Sequence, residues 1–224
     1  MTILIEAAVE SLEDALDAIA GGADRLELCA DLDAGGVTPA RALVAEVLAQ
    51  VTVPVLIMIR PRPGDFVYSR SELDRMRDDI ASARELGTAG VVLGVLDASR
   101  RVDTIATREL LTVARERPVT FHRAIDETPD VLEAIDMLAS LGVARVLSSG
   151  AAPTALDGAE TLASMVARAG DAVHIVAGGG VRAHNVAAIV RRAHVPEVHA
   201  RCGRNASRIR GIREALGEHS DRAD

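Results

Sequence analysis

Two glutamates, an arginine and a histidine stand within or at the ends of short apolar runs: Glu6 in ILIEAAV, Glu27 in RLELCA, Arg60 in VLIMIR and His122 in VTFHRAI. Glutamate and histidine can carry protons, and arginine can hold a carboxylate or polarise a carbonyl. These four residues are the candidate catalytic groups, suited to proton transfer or lyase chemistry on a small anionic metabolite. A second set is rich in glycine and hydroxyls: Ser149 and Gly150 in RVLSSG, Gly178, Gly179 and Gly180 in VAGGGVRAHNV, and Arg201 in EVHARCGRNAS. Backbone amides at glycines approach an oxyanion closely, and arginines such as Arg182, Arg201 or Arg204 add charge, so this set is the candidate anion site. Cys29 and Met58 offer the soft sulfur donors that Cu(I) prefers. The chain has no C-x-x-C and no spaced histidine pair, so a zinc site is not indicated.

The elements that position these residues repeat. Apolar runs at 3–9, 25–30, 55–60, 90–96, 119–125, 145–150, 173–180 and 197–202 alternate with segments of helical periodicity. Ser11 and Ser69 stand three residues before an acid, as in a capping box. Thr38-Pro39 and Thr128-Pro129 read as helix starts, and Gly22, Gly87, Gly142 and Gly170 as helix stops. Eight such units with short links predict an α/β protein, a single (β/α)8 TIM barrel over 1–218, with a frayed tail at 219–224. An open doubly wound sheet is the competing reading. It fits less well, because there are eight units and the glycine fingerprint follows the seventh run rather than the first.

Alternation within each run predicts which side chains meet inside. If Ile5, Leu26, Leu28, Ile57, Ile59, Phe121 and Val198 face the helices, then Glu6, Ala8, Glu27, Cys29, Met58, Arg60, Val92, Gly94, His122, Ser148, His199 and Arg201 face the barrel interior. Arg60 is then expected to face Glu6 and Glu27 at the strands' C-terminal ends, where barrel active sites form.

Composition narrows the function classes. The net charge is −8, and no basic run appears before the C-terminal segment, which argues against nucleic-acid binding. All 25 basic residues are arginine, so lysine Schiff-base chemistry is excluded. Two cysteines, Cys29 and Cys202, fit a reduced cytosolic setting. The N-terminus lacks a basic n-region, and no apolar run approaches a membrane span.

GGADRLELC, GGVTP, MIRPRPGDFVYS, TFHRAID, GGGVRAHNV and EVHA, in this order along nearly the whole chain, resemble the CutC family, named for copper homeostasis. The resemblance implies a cytoplasmic TIM barrel, a homo-oligomer and a copper-handling role, with copper as the ion. It places Glu27 and Cys29 on the family's E-L-C, Arg60, Arg62, Asp65 and Tyr68 on its arginine-proline loop, and His122, Arg123 and Asp126 on its F-H-R-A-x-D. Gly178, Gly179 and Gly180 fall on its triple glycine. The chain departs from the pattern at Ala8, where copper-binding members often carry a cysteine, at Pro63 in place of glycine, and at Ala177 in place of proline. A soft-metal site normally needs more than one thiolate, so weak Cu(I) binding centred on Cys29 is expected here.

Overall fold

The computed structural model describes residues 2–203 and 206–220. Strands β1 (Leu4–Val9), β2 (Arg25–Leu28), β3 (Val55–Met58), β4 (Gly90–Leu93), β5 (Val119–Phe121), β6 (Arg145–Ser148), β7 (His174–Ala177) and β8 (Glu197–Arg201) alternate with eight helices. The helices are α1 (Leu12–Ala20), α2 (Arg41–Gln50), α3 (Arg70–Glu85), α4 (Thr104–Ala114), α5 (Val131–Leu141), α6 (Ala159–Ala169), α7 (Ala183–Ala193) and α8 (Ser207–Ser220). Each strand pairs in parallel with the next, and β8 closes on β1. The result is the (β/α)8 barrel that the alternation predicts, not an open sheet. The expected frayed end covers the last helical residues, 219 and 220, and otherwise lies outside the described residues.

The helix starts follow the caps in part. Ser11 accepts the Asp14 amide, and Ser69 and Glu72 form a reciprocal capping box. Two expected starts are displaced. Helix α5 begins two residues after Pro129, because Asp130 accepts the Leu132 and Glu133 amides. Helix α2 begins two residues after Pro39, and Thr38 has another task. Its hydroxyl accepts the Arg60 amide at 2.9 Å and donates to the Arg60 carbonyl at 3.2 Å, fixing the backbone just beyond β3.

The main core lies between strands and helices and includes Ile5, Leu26, Leu28, Ile57, Ile59, Phe121 and Val198, the set expected there. Inside the barrel, Cys29, Leu56, Met58 and Val92 form a separate small apolar cluster. The phase of β6 differs from expectation: Leu147 lines the interior cavity, whereas the Ser148 hydroxyl donates to Asp126. Val146 and Leu147 are both apolar, so the alternation there has too little contrast to set the phase.

Candidate functional site

The lower barrel interior is a closed ionic cluster. Arg25 and Glu197 open their strands, and the Glu6 Cα is in register with Arg25. The Arg25 guanidinium donates to Glu6 at 2.5 Å and to Glu197 at 2.5 Å. Arg145 joins from β6, its Nε donating to the Thr120 hydroxyl at 3.1 Å. Burial, then repulsion from Arg25, holds its guanidinium below the ordinary range. Above this cluster, His199 Nε2 lies 2.8 Å from Glu27 Oε2. Burial disfavours a charged His199, but the Glu27 carboxylate, with Glu6 behind it, more than offsets that and raises the imidazole pKa.

At the mouth, Arg60 is only 6 % exposed, yet no carboxylate lies within ion-pair reach among the described residues. Its amino groups donate to the Gly36 carbonyl at 3.1 Å, the Ala34 carbonyl at 3.3 Å and the Gly64 carbonyl at 2.8 Å, and its Nε has no partner among the described residues. The guanidinium sits 4.8 Å above the Phe66 ring, which packs 4.9 Å from His122. His122 is pushed down to about 3 by burial and by the neighbouring Arg60 charge, so it is a neutral imidazole. Its Nδ1 accepts the Ala124 amide, which leaves Nε2 as a buried, unpartnered donor. Gly94 makes room for the ring, because a Cβ there would lie 2.5 Å from Nδ1.

Glu27, Met58, Arg60, Phe66, His122 and His199 face one cavity of ≈ 270 Å³ with the loop that follows β7. In that loop Gly179 and Gly180 have φ of +102° and +73°, and among the described residues the amides of Gly179, Gly180 and Val181 make no hydrogen bond. The corresponding loop after β6 is occupied from within. Asp126 accepts the amides of Ser149 and Ala151 and the hydroxyls of Ser148 and Ser149, while Gly150 donates to Ser148. Four arginines line the cavity. Arg123 is paired with Asp126 at 2.8 Å, and Arg201 with Asp33 at 2.5 Å and Glu10 at 3.1 Å. Arg60 and Arg182 have no acidic partner among the described residues.

A CutC family model matches residues 3–204. The chain belongs to the CutC family. It is 44 % identical over 201 residues to a CutC family protein of Caulobacter vibrioides, covering 90 % of this chain and 82 % of that one. A relative from Xanthomonas campestris is also 44 % identical, over 196 residues, covering 88 % and 82 %. Among solved structures, a protein from Streptococcus agalactiae named as a candidate copper homeostasis protein CutC is 34 % identical, with a TM-score of 0.85 over 92 % of this chain and 100 % of that chain. Thiamine phosphate pyrophosphorylase of Pyrococcus furiosus, 15 % identical with a TM-score of 0.64 over 96 % of each chain, shares the barrel fold alone.

Against this family frame, the residues singled out from sequence separate. Glu27, Arg60, His122, Met58, Gly179, Gly180 and Arg201 line the cavity. Glu6 does not reach the mouth, because Arg25 holds it low in the barrel. Arg60 does not face Glu6 and Glu27 as expected, since Thr38 fixes its backbone and carbonyls draw its side chain to the loop after β2. Ser149 and Gly150 are engaged internally, Gly178 donates to the Ser148 carbonyl within the sheet, and Arg204 lies outside the described residues. Arg25, Glu197, His199, Phe66 and Asp126 escaped the list of candidates. The first three had a usable signal, because they share the inward parity of Glu27 and Arg201.

Among the described residues, two groups are candidates for holding a metal. Cys29 is wholly buried beside Met58 and Leu56, and burial, reinforced by Glu27, raises its thiol well above the ordinary range. Cys202 belongs to the outer core, and burial pushes its thiol up to about 11. One protonated thiol and one thioether do not fit a tight Cu(I) site. Glu6, Glu27 and His199 form the other group, with one donor atom from each lying within 4.8 Å of the others. No described helix is long and apolar enough to cross a membrane.

Proposed function

We propose that the barrel mouth is the active site of an enzyme acting on a small phosphorylated or carboxylated compound by proton transfer or a lyase-type reaction. The observation that carries this reading is the pair of arginines, Arg60 and Arg182, that line the cavity without an acidic partner among the described residues, beside the unpaired Gly179–Val181 amides. A buried arginine without a counter-ion favours an anionic ligand, because desolvating a lone charge is costly. In this reading Arg60 and the β7 loop hold the anion. His122 Nε2 donates to a substrate oxygen, and the Glu27–His199 pair carries a proton at the cavity floor. The chain's net charge of −8 opposes anion entry, so the local donors do the selecting.

Thermal unfolding with inorganic phosphate and a panel of small phosphorylated and carboxylated metabolites tests this. Millimolar ligand should stabilise the wild type by about 2 kcal/mol. Arg60→Ala should remove most of that gain. If no anion stabilises the wild type, the reading fails. If Arg60→Ala leaves the gain intact, the β7 loop alone holds the ligand.

Copper handling is the second reading, supported by the name of the Streptococcus agalactiae neighbour. With Ala8 at the position of a family cysteine and Cys29 kept as a thiol, it predicts only weak Cu(I) uptake, lost in Cys29→Ser under anaerobic, reducing conditions. Tight stoichiometric uptake that survives the substitution would show that other residues are the ligands. A cytoplasmic location and a homo-oligomer belong to the same family-based proposal.

A further inference from the structure

We propose that Glu6, Glu27 and His199 form a binding site for a divalent first-row cation at the floor of the cavity, distinct from any thiol copper site. The starting observation is two orphaned atoms. Glu6 Oε1 and Glu27 Oε1 are shielded from solvent, on residues 0 % and 2 % exposed, and among the described residues neither has a nitrogen or oxygen hydrogen-bond donor. Buried carboxylate oxygens without a donor are uncommon and call for an occupant.

A proton is an incomplete occupant. Placed between His199 Nε2 and Glu27 Oε2, 2.8 Å apart, it serves those two atoms and leaves both Oε1 atoms unpaired. A cation can take all three side chains. Nitrogen and oxygen ligands bind zinc-like ions at about 2.0–2.2 Å, so two donors across one ion lie at most about 4.4 Å apart. Glu6 Oε1 and His199 Nε2 are 4.0 Å apart. The full donor set spans no more than 4.8 Å, which a small rotation of a carboxylate closes.

The surroundings suit such an ion. Arg25 donates to Glu6 Oε2 and orients that carboxylate from behind, as outer hydrogen bonds do around metal ligands. Glu6, Glu27 and Glu197 face two arginines, Arg25 and Arg145, and an entering cation replaces any proton shared by His199 and Glu27. Glu27 and His199 line the cavity, which gives the ion a route in and leaves coordination positions facing the ligand space. Two carboxylates and an imidazole select Zn²⁺, Mn²⁺ or Fe²⁺ rather than Cu(I). Proton and cation compete for the same nitrogen. With a cation bound, the Glu27–His199 pair no longer carries a proton, and anion binding at Arg60 and the β7 loop is separate from it.

The test uses the full-length protein, stripped with chelator and held in phosphate-free buffer. Zn²⁺ is titrated by calorimetry and Mn²⁺ by loss of the free-ion EPR signal. One equivalent should bind saturably. Glu27→Gln and His199→Asn should each weaken binding about 100-fold or more, while Cys202→Ser, in the outer core, leaves it unchanged. Circular dichroism of the metal-free variants confirms that they fold. Glu6→Gln is not the deciding variant, because it also disturbs Arg25 in the core. Failure of either ion to bind saturably below 1 mM (about −4 kcal/mol) overturns the proposal. So does one-equivalent binding that Glu27→Gln and His199→Asn leave unchanged. If cation binding fails while phosphate still stabilises the protein, the cation site falls and the anion reading stands; the opposite pattern leaves the cation site without the anion reading.

Discussion

The loops after β6 and β7 lie at the same end of the barrel and are built from similar small residues, yet they finish differently. The β6 loop already holds an anion: the Asp126 carboxylate gathers two amides, two hydroxyls and, through its pair with Arg123, a guanidinium. The β7 loop presents Gly179, Gly180 and Val181 to the cavity with their amides unengaged among the described residues. Glycine content therefore does not by itself mark an anion site; what decides is whether the chain supplies the anion. The arginines divide in the same way: among the described residues Arg123 and Arg201 are neutralised by acids, and Arg60 and Arg182 are not.

Breaking the β6 side should have the largest effect. Asp126→Ala strands several donors at once and should cost about 3–4 kcal/mol of stability. Phosphate should then recover more stability in the variant than in the wild type, because the vacated loop becomes a second anion seat. A variant as stable as wild type, or one with no added phosphate response, would erase the contrast between the loops.

A smaller effect is expected on the β7 side. Gly179 has φ +102°, and a Cβ there would meet the Ser149 Cβ at 3.0 Å. Gly179→Ala should cost about 1–2 kcal/mol through backbone strain and should blunt phosphate stabilisation. Unfolding curves with and without phosphate separate the two consequences. Retention of the full phosphate response would show that the ligand does not use this turn.

The smallest effect is the pH dependence between about pH 7 and 5.5. Burial and the Arg60 charge push His122 down to about 3 in the folded chain, from an ordinary value of 6.5. The unfolded chain thus binds the extra proton more readily, and stability is lost as pH falls from about 6.5 towards 3. Between pH 7 and 5.5 the loss from this group is about 1 kcal/mol. His122→Gln should flatten that part of the profile, as read by denaturant unfolding at each pH. An unchanged slope would assign the acid sensitivity to other groups.

Much of the cavity's lining could be read from strand parity. Glu27, Met58, Arg60 and His122 follow their strands' alternation into the cavity, because side chains two apart share a face. The same rule, extended one step towards the strand starts, reaches Arg25 and Glu197. It failed at β6, where apolar neighbours hid the phase, and could not find Phe66 or Asp126, which act from loops and turns.

The sequence by itself determined the barrel, its family and the identity of most residues inside it, since periodicity, caps and motif order are local properties of the chain. Only the tertiary structure decided which charges are neutralised. Glu6 is held by Arg25 across neighbouring strands, and Glu27 by His199, 172 positions away. Arg60 meets carbonyls rather than the glutamates its position suggested. Ion pairing depends on distances of a few ångströms between side chains on different elements, and these are set when the barrel closes, not by spacing along the chain.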